Sequence, residues 1–231
     1  MAGVVGSGYS YEQVFALAPR PTLPDDLVAT LRPVTLATGR RLALGAPWDA
    51  LVPAGALRRG STISVQAPPG WGGLSVALSL VSEASARGHW VGVVGVDGPG
   101  VVAIADLGLD LRRVLFVPRP RGAWAEVAAD LLDGVDLLVL RPPSRASLLA
   151  ARRLTDRARE RSTVLVVLGE ARGSWPLPTD LTFLVTGARW HASSRLDERH
   201  LNVRVTGRGA AQRGADHVVV LPDGQGRAAA G

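Results

Sequence analysis

The 231-residue sequence contains no lysine and no cysteine, and only one methionine, three phenylalanines and two tyrosines. Without cysteine there is no disulfide, thiolate nucleophile, iron–sulfur cluster or cysteine zinc site. No apolar run approaches the ~20 residues that a bilayer-spanning helix needs. The first ten residues lack the basic region and apolar core of a secretory signal. These absences predict a cytoplasmic protein that does not engage membrane. Every one of the 26 basic side chains is arginine, and the formal charge is +6. Arginine used alone, with abundant Ala, Gly, Val and Leu, reflects a GC-rich genome. The charge permits nucleic-acid contact without establishing it. Guanidinium groups suit carboxylates at protein interfaces equally well.

What is present is apolar pattern. Hydrophobic residues make up 47% of the chain, enough for a sizeable core in one domain with short extensions. Residues 1–44 read as an N-terminal helical arm and connector, with short helices over 9–18 and 25–31 broken by prolines. Residues 45–225 read as the core, and 226–231 as a flexible tail. Within the core, apolar strands over 62–67, 90–96, 114–117, 135–140 and 163–168 alternate with helices over 74–86, 101–107, 124–132 and from Ser144 to about Arg161. Such strands imply a mostly parallel central sheet with helices on both faces. After Gly169 the pattern changes. Strands over 181–189, 201–207 and 218–221 have no helices between them, which predicts an antiparallel extension at one sheet edge. The fold class is α/β.

One segment carries a chemical signal. Ser61-Thr62-Ile63-Ser64-Val65-Gln66-Ala67-Pro68-Pro69-Gly70-Trp71-Gly72-Gly73-Leu74-Ser75 has the order strand, glycine-rich loop, helix start. A working phosphate loop is G-x-x-x-x-G-K-[ST]. Aligned on it, Ala67 stands at the first glycine, Gly73 at the lysine and Leu74 at the magnesium-binding hydroxyl. Such loops point backbone N–H groups at phosphates from a helix N-terminus, but Pro68 and Pro69 have none to give. Gly70, Gly72 and Gly73 retain a weak anion nest, and Ser75 comes one residue late. Phosphoryl transfer also needs an acid at the end of a neighbouring strand. Here the strand 135–140 ends in Arg141, which would repel magnesium. Asp136, at its start, is read as a turn or cap residue. Asp97 follows the strand 90–96, where a water-activating acid would stand. One carboxylate without lysine or metal cannot assemble the reaction, so it too is read as a turn residue. The segment keeps the shape of a nucleotide site without its chemistry, and no metal or cofactor is expected.

These pieces stand in an order that resembles the RecA-type recombinases. Trp48-Asp49-Ala50-Leu51-Val52-Pro53-Ala54-Gly55-Ala56-Leu57-Arg58-Arg59-Gly60-Ser61 is similar to their lead-in to the phosphate loop. Leu107-Gly108-Leu109-Asp110-Leu111-Arg112-Arg113-Val114-Leu115 resembles a second RecA segment, and Val135–Leu140 resembles the Walker B strand, degenerate here at Arg141. The likeness covers about residues 45–207 and makes 45–225 a RecA-like P-loop core. Among RecA relatives the chain looks most like the short, degenerate ImuA-type accessory proteins of the actinobacterial branch. That resemblance implies a non-catalytic adaptor in damage-inducible translesion synthesis. Its implied partners are an inactive Y-family polymerase homologue of ImuB type and, through it, an error-prone replicative-type polymerase.

Two other readings stay open. The first is an ATP-independent DNA-binding RecA homologue, with Arg58, Arg59, Arg172 and Arg189 as candidate phosphate contacts. Arg112-Arg113, Arg119-Pro120-Arg121 and Arg152-Arg153 are further basic pairs, against ordinary solvated charge. The stretch 169–178 is short, is stiffened by Trp175-Pro176-Leu177-Pro178 and carries Glu170, which argues against RecA-style filaments on DNA. The second is an enzyme that finds its cation in Arg141 or Arg189 and its acid in Asp97. His89, His191, His200 and His217 show no metal-ligand spacing. Trp71 and Trp175 are the tryptophans placed by loops where a partner could meet them.

Overall fold

Apolar strands of β-branched residues, each too short to bury itself, form the centre of the molecule. The structure, a computed structural model, describes residues 41–231 apart from 53–54, 99, 143–145, 171–174, 193–195 and 209–213. The helices expected over 9–18 and 25–31 lie outside the described residues. Of the expected connector, residues 41–44 are described. β1 (Arg41–Ala43) pairs antiparallel with β2 (Ala56–Arg58), and α1 (Trp48–Leu51) lies between them. Trp48 of α1 is fully buried edge-on against Phe183, with ring centroids 5.8 Å apart. It ties this small sheet into the main core.

Among the described residues the main sheet has nine strands, in the order β11-β10-β9-β8-β3-β7-β6-β4-β5. β3 (Thr62–Gln66), β4 (Val91–Val94), β5 (Val114–Val117), β6 (Leu137–Leu140) and β7 (Val164–Gly169) run parallel, and β8 (Leu181–Ala192) joins β3 in the same direction. β9 (Leu196–Gly207), β10 (Ala215–Val220) and β11 (Ala229–Ala230) continue antiparallel from β8. The expected α/β class, mostly parallel sheet and antiparallel extension are therefore present. The end of the chain corrects the expected loose tail: β11 pairs with β10, and the Gly231 N–H donates to the Val218 carbonyl.

Both faces of the parallel part are covered. α2 (Gly73–Ala86) presents Val76, Ala77, Leu80, Val81 and Ala84 at helical spacing to one face. α3 (Val101–Asp106) adds Ile104 to that layer. α4 (Trp124–Leu132) and α5 (Leu148–Arg161) cover the other face through Ala128, Leu132, Ala151, Leu154 and Ala158. α5 starts later than expected. Its cap is Ser147, whose Oγ accepts the Ala150 N–H at 3.2 Å, while Ser144 lies outside the described residues. Trp175, expected at a partner surface, packs into this second layer and is only 7% exposed. Among the described residues no helix is long and apolar enough to cross a membrane.

Asp136 does more than the expected turn or cap role: in the bend just before β6 and 5% exposed, it caps the Trp90 N–H at 3.1 Å and also accepts a hydrogen bond from Arg59 Nη1 at 2.8 Å. His89 Nδ1 lies 3.3 Å away. Burial alone would raise the carboxyl's pKa, but the bonds from His89, Arg59 and Trp90 outweigh it and hold it below the usual carboxylate range. Arg59 is thereby consumed: its side chain is 9% exposed. As a DNA contact it is withdrawn, because a buried guanidinium in an ion pair cannot reach a phosphate.

Candidate functional site

β3 stands in the middle of the sheet, between β7 and β8. Parallel strands bring the loops after their C-terminal ends to one edge of the sheet, where α/β proteins form their ligand crevices. The glycine-rich loop leaves β3 at that edge. The Ala67 N–H donates to the Gly169 carbonyl at 3.1 Å, and the Trp71 N–H closes a turn onto Pro68 at 3.1 Å. Gly70 and Gly72 have φ of 80° and 85°, a conformation open to glycine. α2 then begins with Gly72 as its N-cap, without a side-chain cap and without an acid in its first turn.

Two side-chain exchanges define the loop. A Cβ at Gly73 would lie 2.8 Å from the Ala67 Cβ and 3.2 Å from Leu168 Cδ1. The methyl of Ala67, at the first-glycine position, thus fills the space from which a lysine at position 73 would rise. The second was not among the sequence expectations. Arg199 of β9 reaches across to the loop. Its Nη2 donates to Ser75 Oγ at 2.9 Å and its Nε to the Leu221 carbonyl at 2.8 Å. A Cβ at Gly72 would come within 2.5 Å of its Cζ, so the guanidinium packs directly on the loop backbone. The Trp190 ring lies beneath it, 5.1 Å from Cζ. Arg199 is 7% exposed, and burial lowers its pKa from the ordinary arginine value.

Arg199 and the loop border a cleft of about 310 Å³, closed on the remaining sides by Arg141, Leu168, Gly169 and Glu170. Arg141 follows β6, its backbone N–H bonded to the Val94 carbonyl at 2.9 Å. Its Nε is buried without a hydrogen-bond partner. The structure thus brings Ala67, Gly70, Gly72, Gly73, Leu74 and Arg141 into one cleft, with Ser75 tied to Arg199 at its floor. It does not bring Asp97 there: that carboxylate is exposed and paired with Arg119 at 2.8 Å. Of the candidate DNA contacts, Arg58 is exposed, and Arg172 lies outside the described residues. Arg189 lines a second cleft of about 380 Å³ with Trp71, His191, His200 and Val218. The imidazoles of His191 and His200 stand 4.2 Å apart there. Arg112 is engaged by Asp110 at 2.9 Å, and Arg113 lies over Trp90 at 5.8 Å.

A signal for Arg199 did exist. It alternates in phase with Leu201, Val203 and Val205, all buried on one face of β9. An arginine in the buried phase of a strand marks a functional or structural contact.

Known proteins bear on this region directly. Residues 50–176 match the family described as the MT3502 N-terminal domain, a span that holds the loop, Arg141 and the parallel strands β3 to β7 but not β8 or Arg199. The uncharacterized protein Rv3395c of Mycobacterium tuberculosis (strain ATCC 25618 / H37Rv) is 38% identical over 162 residues, which cover 68% of this chain and 67% of that protein. With more than half of its length inside the match, the chain belongs to the MT3502 N-terminal domain family.

Proposed function

We propose that the chain is a non-catalytic, RecA-like adaptor of a DNA-damage-inducible translesion synthesis complex. It would bind an inactive Y-family polymerase homologue of ImuB type in the cytoplasm and support an error-prone replicative-type polymerase through it. The observation that carries this reading is the loop. It keeps its place after a central parallel strand and before a helix, yet each group that nucleotide hydrolysis needs is replaced. Ala67 and Gly73 close the lysine's space, Leu74 takes the hydroxyl position, and Arg141 ends the strand where an acid would hold magnesium. A sheet ordered β5-β4-β6-β7-β3-β8 with an antiparallel extension is consistent with a RecA-type core, and the mycobacterial relative fits the actinobacterial branch.

An adaptor needs a docking edge. β5 ends the order of the sheet, and an edge strand offers unpaired backbone groups for strand addition. Phe116 on β5 is 37% exposed. In co-expression with an ImuB-type partner the chain should co-purify with it. Phe116→Asp should abolish that complex while the melting curve stays within a few degrees of wild type. Absence of any complex with the unaltered chain would defeat the adaptor reading. Survival of the complex in the variant would move the contact off β5. The DNA-binding reading keeps Arg58 and Arg189, both exposed, and would require affinity for DNA that falls steeply with salt.

A further inference from the structure

The arginines beside the loop have a role that adaptor binding does not explain. Arg199 is more than nine-tenths buried. Among the described residues its guanidinium meets a hydroxyl, a carbonyl and an indole ring. Among the described side chains no carboxylate lies within ion-pair range of it. Buried charges are ordinarily paired, as Arg59 is with Asp136 in this same chain. Arg141 turns toward the same cleft with a buried Nε that has no partner. Between them opens the N-terminus of α2, a helix of 14 residues with no acid or side-chain cap in its first turn. Its first N–H groups lack intrahelical acceptors and carry the positive end of the helix dipole. Two guanidinium groups and a helix N-terminus thus converge on about 310 Å³, room for one or two phosphoryl groups. The single acid at the rim, Glu170, is exposed to solvent.

We infer that this cleft is a metal-independent oxyanion site, in which Arg199 and Arg141 hold a phosphate monoester or diphosphate group against the start of α2. The charge that a phosphate loop draws from its own lysine comes here from two other strands. Among the described residues no carboxylate in the cleft is placed to hold magnesium between loop and ligand, and Arg141 stands at the strand end where one would be needed. The ligand is bound and not turned over: the cleft offers it cations and backbone donors, and its one carboxylate lies at the rim. A free nucleotide and the 5′-phosphorylated end of a DNA strand share this chemistry.

The test uses the full chain and pyrophosphate as the probe, titrated calorimetrically in EDTA. Binding is expected without magnesium. It should weaken about tenfold to a hundredfold in Arg141→Gln, the range for losing one charge-assisted hydrogen bond. Arg199→Gln should do the same. If that variant unfolds, Arg141→Gln carries the result, since its buried Nε has no hydrogen-bond partner to lose. ATP and a pair of oligonucleotides, 5′-phosphorylated and 5′-hydroxyl, then separate the sources. Tenfold preference for the phosphorylated strand identifies a strand end, and tighter ATP binding identifies a nucleotide. Failure of pyrophosphate to bind, binding that requires magnesium, or equal affinity in Arg141→Gln would overturn the assignment.

Discussion

Replacing Gly73 by alanine isolates the exchange at the loop. The new Cβ would lie 2.8 Å from the Ala67 Cβ, whereas carbon atoms rest about 3.5–4.0 Å apart. Roughly 1 Å must open, and the surroundings resist it. Ala67 is buried, its N–H is fixed to Gly169, and Leu168 Cδ1 blocks the neighbouring direction at 3.2 Å. Overpacking of this kind costs about 1–3 kcal/mol. Helix propensity returns less than the ~1 kcal/mol that separates glycine from alanine in a helix interior, because position 73 is in the first turn. Gly73→Ala should therefore be destabilised by about 1–2 kcal/mol. Ala67→Gly alone should also cost about 1 kcal/mol, through a lost buried methyl and a freer unfolded chain. The two together should be more stable than the sum of the separate losses by about 1–2 kcal/mol, since each relieves the other's defect. Urea unfolding of the four proteins, extrapolated linearly, measures this coupling. A coupling below about 0.5 kcal/mol would refute the claim that the Ala67 methyl is what excludes a side chain at 73. It follows that Gly73→Lys cannot by itself restore a phosphate loop, because Ala67→Gly must accompany it.

Gly72→Ala should cost about 1–3 kcal/mol, since φ is 85° and the Cβ would strike the Arg199 guanidinium. The emission of Trp190, whose ring lies against the Arg199 guanidinium, should also shift as the guanidinium is displaced. Asp136→Asn should destabilise by about 3–5 kcal/mol, because it leaves Arg59 buried without its counter-charge, as thermal or urea unfolding would measure. In the unaltered chain the depressed pKa of Asp136 means its stabilisation is complete above the ordinary carboxylate value of about 3.9 and is lost as pH falls through the lower folded value. The Asn variant should show a shallower loss of stability below pH 4 than wild type, and identical slopes would refute this assignment.

The parallel core was legible because its strands are continuous apolar runs and its helices repeat at 3.6 residues. Ile63 and Val65 of β3 or Leu137–Leu140 of β6 have few alternatives to burial between two layers. The connector was harder to read. Arg41–Ala43 and Ala56–Arg58 are three-residue strands whose pairing is set by tertiary contacts around Trp48, not by local pattern. Trp175 was misplaced for a related reason: prolines mark a loop, but nothing local says whether a loop's indole turns outward or into the core. Arg59 and Asp136 are 77 residues apart, and their pairing depends on how β3 and β6 are set in the sheet. Charge type alone could not distinguish Arg59 from its exposed neighbour Arg58.

Arg199 shows what the loss of a motif means physically. Reading the loop alone, one sees a lysine removed and nothing supplied. In the fold, Gly72 and Gly73 serve two different close approaches: Gly73 accommodates the Ala67 methyl, and Gly72 accommodates a guanidinium from a strand more than a hundred residues later in the chain. Gly72 stands at the second glycine of the phosphate-loop pattern and its φ of 85° favours glycine in any case, but Gly73 is required by a contact that a working phosphate loop does not have, so the segment is held in its own arrangement. That arrangement concentrates positive charge, from Arg141 and Arg199, at the start of a helix that already favours anions. The cleft is therefore cationic although the loop itself carries no lysine. Adaptor binding at the β5 edge and anion binding at the β3 loop can accordingly be separated. Phe116→Asp should leave pyrophosphate affinity unchanged, and Arg141→Gln should leave the partner complex intact. A variant at either place that abolished both would show that the edge strand β5 and the loop after the central strand β3 act as one site.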